Sequence, residues 1–543
     1  GLALAIELGT RGVRCVLVER GDGSVPVPKM TQLTTRTVEF CRRWGIVDEV
    51  KAAGWPETLP GDFVYVTSLA GFELFREPYP SYAMRGEVPY SPEGTRHCPQ
   101  IFFDPILRRH AATLPTVSLR YGAELESFDQ DAGCVRATVR DGATGRLEVI
   151  DALYLVGCDG FDGHVRKAMG VAYAGSGMLS YSVSIYFRSP ALIHRHDKGW
   201  SRFYRLVGPE GHWGDMIAID GKELYRLTVL DANPDQPVDA FDVAACMRRA
   251  AGVDFPYDVL SVLPWKRREL VADRFRSGRV FIAGDAAHQM SPTGGLGMNT
   301  GVGDAVDLGW KLAAVLDGWG GQVLLDAYQI ERKPVAVTSV TASSRVYQET
   351  MALPGGPLLL EDSSDGAAHR ERFRRAFDGK RAVTEPISEQ AKLGYCYDAS
   401  PIVVPDGSLP ISYEAPSFIP SARPGTRAPH AWVRPGISTL DYFGDGFVLL
   451  CLGVEPYDAR DLQRCADERG VPFRVVEVRD PGIAKLYETA LVLVRPDGHV
   501  AWRSNTPPAD PGRLLDRVRG AMTNTKGDAA CESPQSKATI SPS

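Results

Sequence analysis

The chain has 543 residues, enough for about three domains, of which 44% are hydrophobic and 24% charged. Its formal net charge of −6 with both signs mixed along the chain leaves no basic stripe to track phosphates and argues against nucleic acid as a partner. No window approaches the roughly 18 uninterrupted apolar residues of a membrane span. The ten scattered cysteines, without a CxxC, argue against a zinc ribbon or a disulfide scaffold and point to reduced thiols in the cytoplasm.

Residues 1–20, GLALAIELGTRGVRCVLVER, predict a short apolar helix, a turn at Arg11-Gly12 and a strand ending in an acid. This is half of a nucleotide-binding βαβ unit. There a glycine-rich turn brings backbone against a pyrophosphate at a helix N-terminus, and an acid about 20 residues on accepts hydrogen bonds from a ribose. Gly1 takes the place of the last glycine and Glu19, with Arg20 beside it, that of the ribose acid. A short strand and two further glycines are expected to precede Gly1.

Helical patterns follow in TTRTVEFCRRWGIVDEV and FDPILRRHAATL, and strands in VSLRYGAEL, VRATVRD and ALYLVGCDG. The stretch YLVGCDGFDGHVRKAMG (154–170) reads as a strand, a tight turn at Asp159-Gly160 and a helix carrying Arg166. Residues 62–79, the period-two run 179–189 and a hairpin turning at Asp220-Gly221 predict an antiparallel sheet inserted into the α/β domain.

The segment GRVFIAGDAAHQMSPTGGLGMNTGVGDAVDLGWKLAAVL (278–315) carries the most chemistry. A buried strand delivers Gly284-Asp285, and a loop with Pro292, Gly294, Gly295 and Gly297 opens onto an amphipathic helix. Such glycine density before a helix is costly unless something approaches the backbone closely. The two α/β blocks, 1–170 and 265–350, can meet in one sheet. From about 405 a Pro-rich linker leads to a smaller α/β unit, and residues 523–543, polar and poor in aromatics, are expected to be disordered.

Together these three stretches resemble the glycine fingerprint, the DG motif and the GD motif of the class A FAD-dependent aromatic hydroxylases, the p-hydroxybenzoate and phenol hydroxylase group that includes 2,4-dichlorophenol 6-monooxygenase. The resemblance runs from residue 1 to about 520. It implies an α/β (α+β) fold with a Rossmann-like FAD-binding domain (1–61, 96–175 and 266–350), an inserted antiparallel-sheet substrate domain (62–95 and 176–265), a helical connector (351–404) and a thioredoxin-like C-terminal domain (405–522). Lacking a CxxC, that last domain reads as a packing or dimerisation element, and in the second case the enzyme would be a homodimer.

The resemblance also implies FAD, with NADPH or NADH as reductant and O2 as co-substrate, no metal, and a phenolic or pyridinol-type ring hydroxylated through a flavin C4a-hydroperoxide. Carried over by position, Gly1, Glu19, Arg20, Lys29, Arg36, Gln100, Leu125, Asp159, Arg166, Asp285, Gly295, Leu296, Gly297, Met298 and Asn299 are expected at the cofactor. Lys29 stands where many relatives have Arg. Pro292 is expected over the flavin ring.

Thr31 stands where some relatives have an Asp or His base and cannot act as one. Tyr225, foremost among Tyr181, Tyr204, Arg205, His212 and Tyr225, is the candidate for activating the ring, and His288 is expected to be structural. Two alternatives share these motifs: a Baeyer–Villiger-type oxygenase and a non-catalytic flavin-binding module.

Overall fold

The computed structural model describes residues 1–377, 389–413, 415, 417–453 and 457–522; the expected disordered tail, 523–543, lies outside them. Helix α1 (Leu2–Gly9) is apolar except for Glu7, which is ion-paired with Arg11 and Arg43, and it is almost wholly buried. It leads into β1 (Cys15–Glu19), and α2 (Thr35–Arg43) follows. Strands β2 (Phe63–Val66) and β3 (Glu73–Glu77) leave this domain for the second one, and α3 (Gln100–Thr113) returns to it.

Strand β4 (Val117–Tyr121) pairs in parallel with β1, matching Leu17 to Leu119. A three-stranded meander, β5 (Ala123–Gln130), β6 (Val135–Asp141) and β7 (Leu147–Ala152), comes next, and then β8 (Leu155–Gly157) and the short α4 (His164–Ala168). The long strands β9 (Tyr173–Arg188), β10 (Phe203–Gly208), β11 (Gly211–Ala218), β12 (Leu224–Val229) and β13 (Asp258–Ala272) build the second domain. The chain then gives β14 (Val280–Ile282), β15 (His288–Gln289), the twenty-residue α5 (Gly297–Leu316) and the twenty-nine-residue α6 (Val323–Met351).

The inserted sheet has eight strands in the order β15-β13-β9-β12-β11-β10-β2-β3. It is antiparallel except where β10 runs parallel to β2. Its β11–β12 hairpin turns at Asp220-Gly221, where Asp220 Oδ1 accepts the backbone N–H groups of Lys222, Glu223 and Leu224.

The α/β strands, however, do not meet in one sheet among the described residues. β1–β4 and β8–β14 are separate parallel ladders, and one cleft is lined by the edges of both. Helix α5 lies close against α1, and glycine makes that possible: a Cβ on Gly309 would fall 2.6 Å from the Cβ of Glu7.

After α6 the chain reaches the C-terminal domain, a four-stranded sheet of β16 (Phe447–Cys451), β17 (Phe473–Glu477), β18 (Leu491–Val494) and β19 (Val500–Ser504) in the order β17-β16-β18-β19. Cys451 and Cys465 are buried and free there. This domain is tied to the first by buried ions. Arg427 donates from Nε to Glu39 Oε2 at 3.0 Å and from Nη2 to Oε1, and Ser91 Oγ adds a bond of 2.6 Å to the same carboxylate. Burial alone would raise the Glu39 carboxyl pKa, but Arg427 and Arg36 hold it below the usual range.

Candidate active site

One cavity of about 1730 Å³ runs from the nucleotide-binding domain to the inserted sheet. Its nucleotide end brings together Gly1, Glu19, Arg20, Lys29, Gln100, Leu125, Asp159 and Asp285, all lining the same walls. Each acid stands where a strand ends. Glu19 closes β1 and accepts the Gly21 N–H at 2.8 Å. Asp159 follows β8 and accepts the Val165 N–H at 2.9 Å. Asp285 follows β14 and is exposed to the cleft. Gln100 holds the Lys29 segment, accepting its backbone N–H at 3.3 Å, and donates to Asp104 at 3.0 Å.

The loop before α5 crosses the cavity. Pro292, Gly294, Gly295, Gly297 and Met298 line it, and Gly294 and Gly295 have φ of +90° and +67°, values that favour glycine. At this loop the N-terminal N–H groups of α5 and its dipole meet the cavity, an arrangement suited to electron-rich or anionic groups. At Gly301 a Cβ would sit 3.1 Å from the Cα of Gly284, so a small residue there lets the Asp285 turn rest on the helix. The donors, the acids and the backbone concavity fit a flavin dinucleotide.

Several expected residues lie elsewhere. Arg36 is not on the cavity: it faces the C-terminal domain, donating to Glu39 Oε2 at 2.8 Å and to the Asp497 carbonyl at 2.6 Å. Two acceptors from that interface hold its guanidinium away from the cleft. Arg166 turns back to the Val171 carbonyl, 2.6 Å away, and covers the Tyr173 ring. Leu296 packs on Val346. Asn299 bonds the Thr34 amide and the Gln32 and Gly295 carbonyls, so it joins the two cofactor-side loops without lining the space between them.

Tyr225 points to the other face of the sheet. It is 1% exposed, stacked against Trp200 and Phe187, and its hydroxyl has no partner. The pleat that buries Tyr225 and Leu227 turns Arg226, Thr228 and Leu230 toward the cavity, because successive strand residues face opposite sides. Tyr204 is buried in the same apolar layer as Tyr225, while Arg205 and Phe203 line the cavity. Neither His212 nor Tyr181 lines it; His212 Nε2 lies 3.1 Å from Asp215 Oδ1. His288 is buried against Asp304, 2.7 Å away.

The floor facing Pro292 therefore consists of Phe63, Phe203, Ile217, Leu230 and Trp265 with three arginines and one acid. Arg205 is paired with Asp215 at 3.1 Å. Arg205 and His212 hold the Asp215 carboxyl well below its ordinary range against the upward push of burial.

Arg226 donates to the Pro28 carbonyl, and its buried Nε has no partner. Burial pushes its pKa down to about 10. Arg267, 4% exposed, is held by neutral oxygens, Ser291 Oγ at 2.6 Å and Thr293 Oγ1 at 3.1 Å. Neither has a carboxylate at ion-pair distance among the described residues. Thr228, Ser184 and Trp265 form a hydrogen-bonded row, with Ser184 Oγ 3.2 Å from Thr228 Oγ1 and 3.0 Å from Trp265 Nε1.

Sequence reasoning missed Arg226, Arg267 and Asp215. The signal was the strand parity of LYRLTVL and LPWKRREL, in which one alternate set had to face the cofactor loop.

A dinucleotide cleft closed by a sheet whose cavity faces the glycine loop fits the class of flavoproteins that hold a substrate against their cofactor. The known proteins agree. An FAD binding domain family model matches residues 1–343 and a C-terminal aromatic-ring hydroxylase model matches 421–527. The aklavinone 12-hydroxylase RdmE of Streptomyces purpurascens is 33% identical, with 95% of this chain and 96% of that protein covered.

Among solved structures, RebC soaked with chromopyrrolic acid and holding 7-carboxy-K252c is 39% identical with a TM-score of 0.88, over 96% of this chain and 97% of that one. Aklavinone-11 hydroxylase in a ternary complex with FAD and aklavinone is 30% identical with a TM-score of 0.80, at the same coverages. The chain belongs to the class A flavoprotein aromatic hydroxylases, enzymes with FAD as cofactor.

Proposed function

We propose that the protein hydroxylates a fused-ring phenolic compound carrying a carboxylate, with NADPH or NADH as reductant and O2 as oxidant. The observation that carries this reading is the cavity floor. Apolar side chains and two guanidinium groups, Arg226 half-buried and Arg267 buried, with no carboxylate at ion-pair distance among the described residues, face the Pro292 loop across a single space. A buried unpaired cation is costly, and a ligand carboxylate would relieve it. The 7-carboxy-K252c bound by RebC is named as a carboxyl compound, which supports the charge.

Bound FAD supplies the acceptance of hydride from the nicotinamide and the activation of O2. The protein's own groups do the rest. Glu19 would accept ribose hydroxyls and Asp285 a ribityl hydroxyl, and the backbone of Gly295 to Asn299 would hold the flavin edge. Arg226 holds the substrate acid. Thr228, the cavity-lining hydroxyl of the Ser184–Thr228–Trp265 row, would orient a phenol by a hydrogen bond, without acting as a base any more than Thr31 can. Pro292 and Trp265 keep water from the reacting carbon.

The test is product identification. The full chain with FAD, NADPH or NADH and air is given polycyclic phenols with and without carboxyl groups. Gain of one oxygen atom on an intact ring skeleton is expected. An ester or lactone would establish Baeyer–Villiger insertion instead, and no ligand-stimulated NAD(P)H oxidation with any compound would refute the hydroxylase reading.

A further inference from the structure

A hairpin tip is ordinarily among the wettest parts of a small domain. The β18–β19 tip, Arg495-Pro496-Asp497-Gly498-His499, is buried: Arg495 is 0%, Asp497 2% and His499 1% exposed. It enters the nucleotide-binding domain at α5 and α6. Arg495 reaches Glu331 on α6 with Nη1 at 2.7 Å and Nη2 at 2.9 Å, and Asp307 on α5 at 3.2 Å. Lys311 also bonds both acids. Against the cost of burial, Arg495 and Lys311 hold the Glu331 carboxyl well below its usual range; burial and the neighbouring Glu331 raise that of Asp307.

From this tip a chain of contacts leads to the cofactor turn. The His499 ring lies 4.4 Å from the Tyr397 ring. Tyr397 Oη accepts from Arg332 Nη1 at 3.2 Å, and Arg332 Nε donates to Asp304 Oδ1 at 2.8 Å. Asp304 Oδ2 accepts the backbone N–H of Gly284 at 3.0 Å and His288 Nε2 at 2.7 Å. Gly284, with φ +61°, immediately precedes Asp285. Asp304 is fully buried and Arg332 1% exposed. His288 and Arg332 hold the Asp304 carboxyl at about 2 against the opposing effect of burial.

We propose that the C-terminal domain is a positioning element of the FAD site: through His499, Tyr397, Arg332 and Asp304 it fixes the Gly284 amide and so the direction in which the Asp285 carboxylate enters the cleft. The planar Arg332 fork is satisfied on three sides, by Asp304, Tyr397 and the Thr300 carbonyl at 3.1 Å, and such a fork has few alternative settings. A glycine turn, by contrast, has many; the anion bonded to its N–H selects one. The inference rests on Asp285 being an FAD ligand. It gives this CxxC-free domain a task at the cofactor, with Tyr397 and His499 as positioning residues.

The experiment is a double-mutant cycle on FAD binding in the full chain, read by quenching of flavin fluorescence. Tyr397→Phe keeps the ring and removes the acceptor of Arg332. It is expected to raise the FAD dissociation constant roughly five- to tenfold when Asp285 is present, and less than twofold in an Asp285→Asn background. His499→Leu should give the same pattern more weakly. Variants that need FAD to stay soluble are purified with it, and the release rate on dilution is compared in the two backgrounds.

An equal factor in both backgrounds overturns the proposal, because the effect would not pass through Asp285. An unchanged FAD constant with lowered thermal stability also overturns it, since the tie would be purely structural. If Asp285→Asn alone leaves FAD binding intact, the assignment of Asp285 fails and the relay fails with it.

Discussion

Replacing Arg226 by Met tests the acid-binding end of the cavity. Met keeps an unbranched apolar side chain and removes the charge. Truncating one partner of a buried, hydrogen-bonded charge pair costs about 2–5 kcal/mol. The lower part of that range applies, because the free protein already bears the cost of burying Arg226, whose pKa is pushed down to about 10, and the variant sheds that cost. A net loss of about 2–3 kcal/mol is roughly a 30- to 150-fold rise in Kd.

The assay titrates a hydroxylated anthraquinone carboxylic acid and its methyl ester into FAD-saturated protein at pH 8, where Arg226 is still charged. The acid should weaken by that factor in the variant and the ester by less than threefold. Equal weakening of both would mean that Arg226 acts by packing. Unchanged acid binding would refute the charge argument.

Two further outcomes follow from burial. Tyr225→Phe removes a hydroxyl that is buried without a partner, so the variant should melt at an equal or higher temperature, with a gain of about 1 kcal/mol, and turn over within twofold of wild type; a tenfold fall in turnover would return Tyr225 to the active site. Burial lowers the His499 pKa to about 4 from near 6.5 in an unfolded chain. The unfolded chain therefore binds a proton that the folded protein refuses. Stability is complete above pH 6.5 and declines as pH falls to about 4, by up to about 3 kcal/mol. Urea midpoints between pH 7.5 and 4.5 should fall less steeply in His499→Gln than in wild type, and parallel slopes would exclude His499 as the source.

The walls of the cleft were legible because their pattern is local. Glu19 closes a strand, Asp159 and Asp285 follow one within a few residues, and glycines mark the places where backbone faces the cavity. The inserted sheet was legible as a sheet but not as a surface. Alternation in LYRLTVL separates two faces without saying which is inside, and here both are covered, so Tyr225 on the apolar layer was put forward and Arg226 on the cavity was missed. Arg36 was misplaced for a different reason. Its partners are Glu39, three residues away, and the Asp497 carbonyl, 461 residues away, and nothing near Arg36 in the chain signals the second. The expectation of a single α/β sheet likewise depended on pairings that local pattern does not specify.

The buried hairpin tip also sets a timetable. Glu331, Asp307 and Lys311 are made well before Arg495, which lies 164 residues beyond Glu331. During synthesis at roughly 5–20 residues per second, α5 and α6 wait about 10 to 30 seconds with acidic groups that have no arginine to meet. On the ribosome the nucleotide-binding domain can collapse but not finish, and its last ionic contacts close only when the β18–β19 turn emerges. Flavin capture, if it needs the Gly284 turn in its final setting, then becomes one of the last events in the protein's assembly.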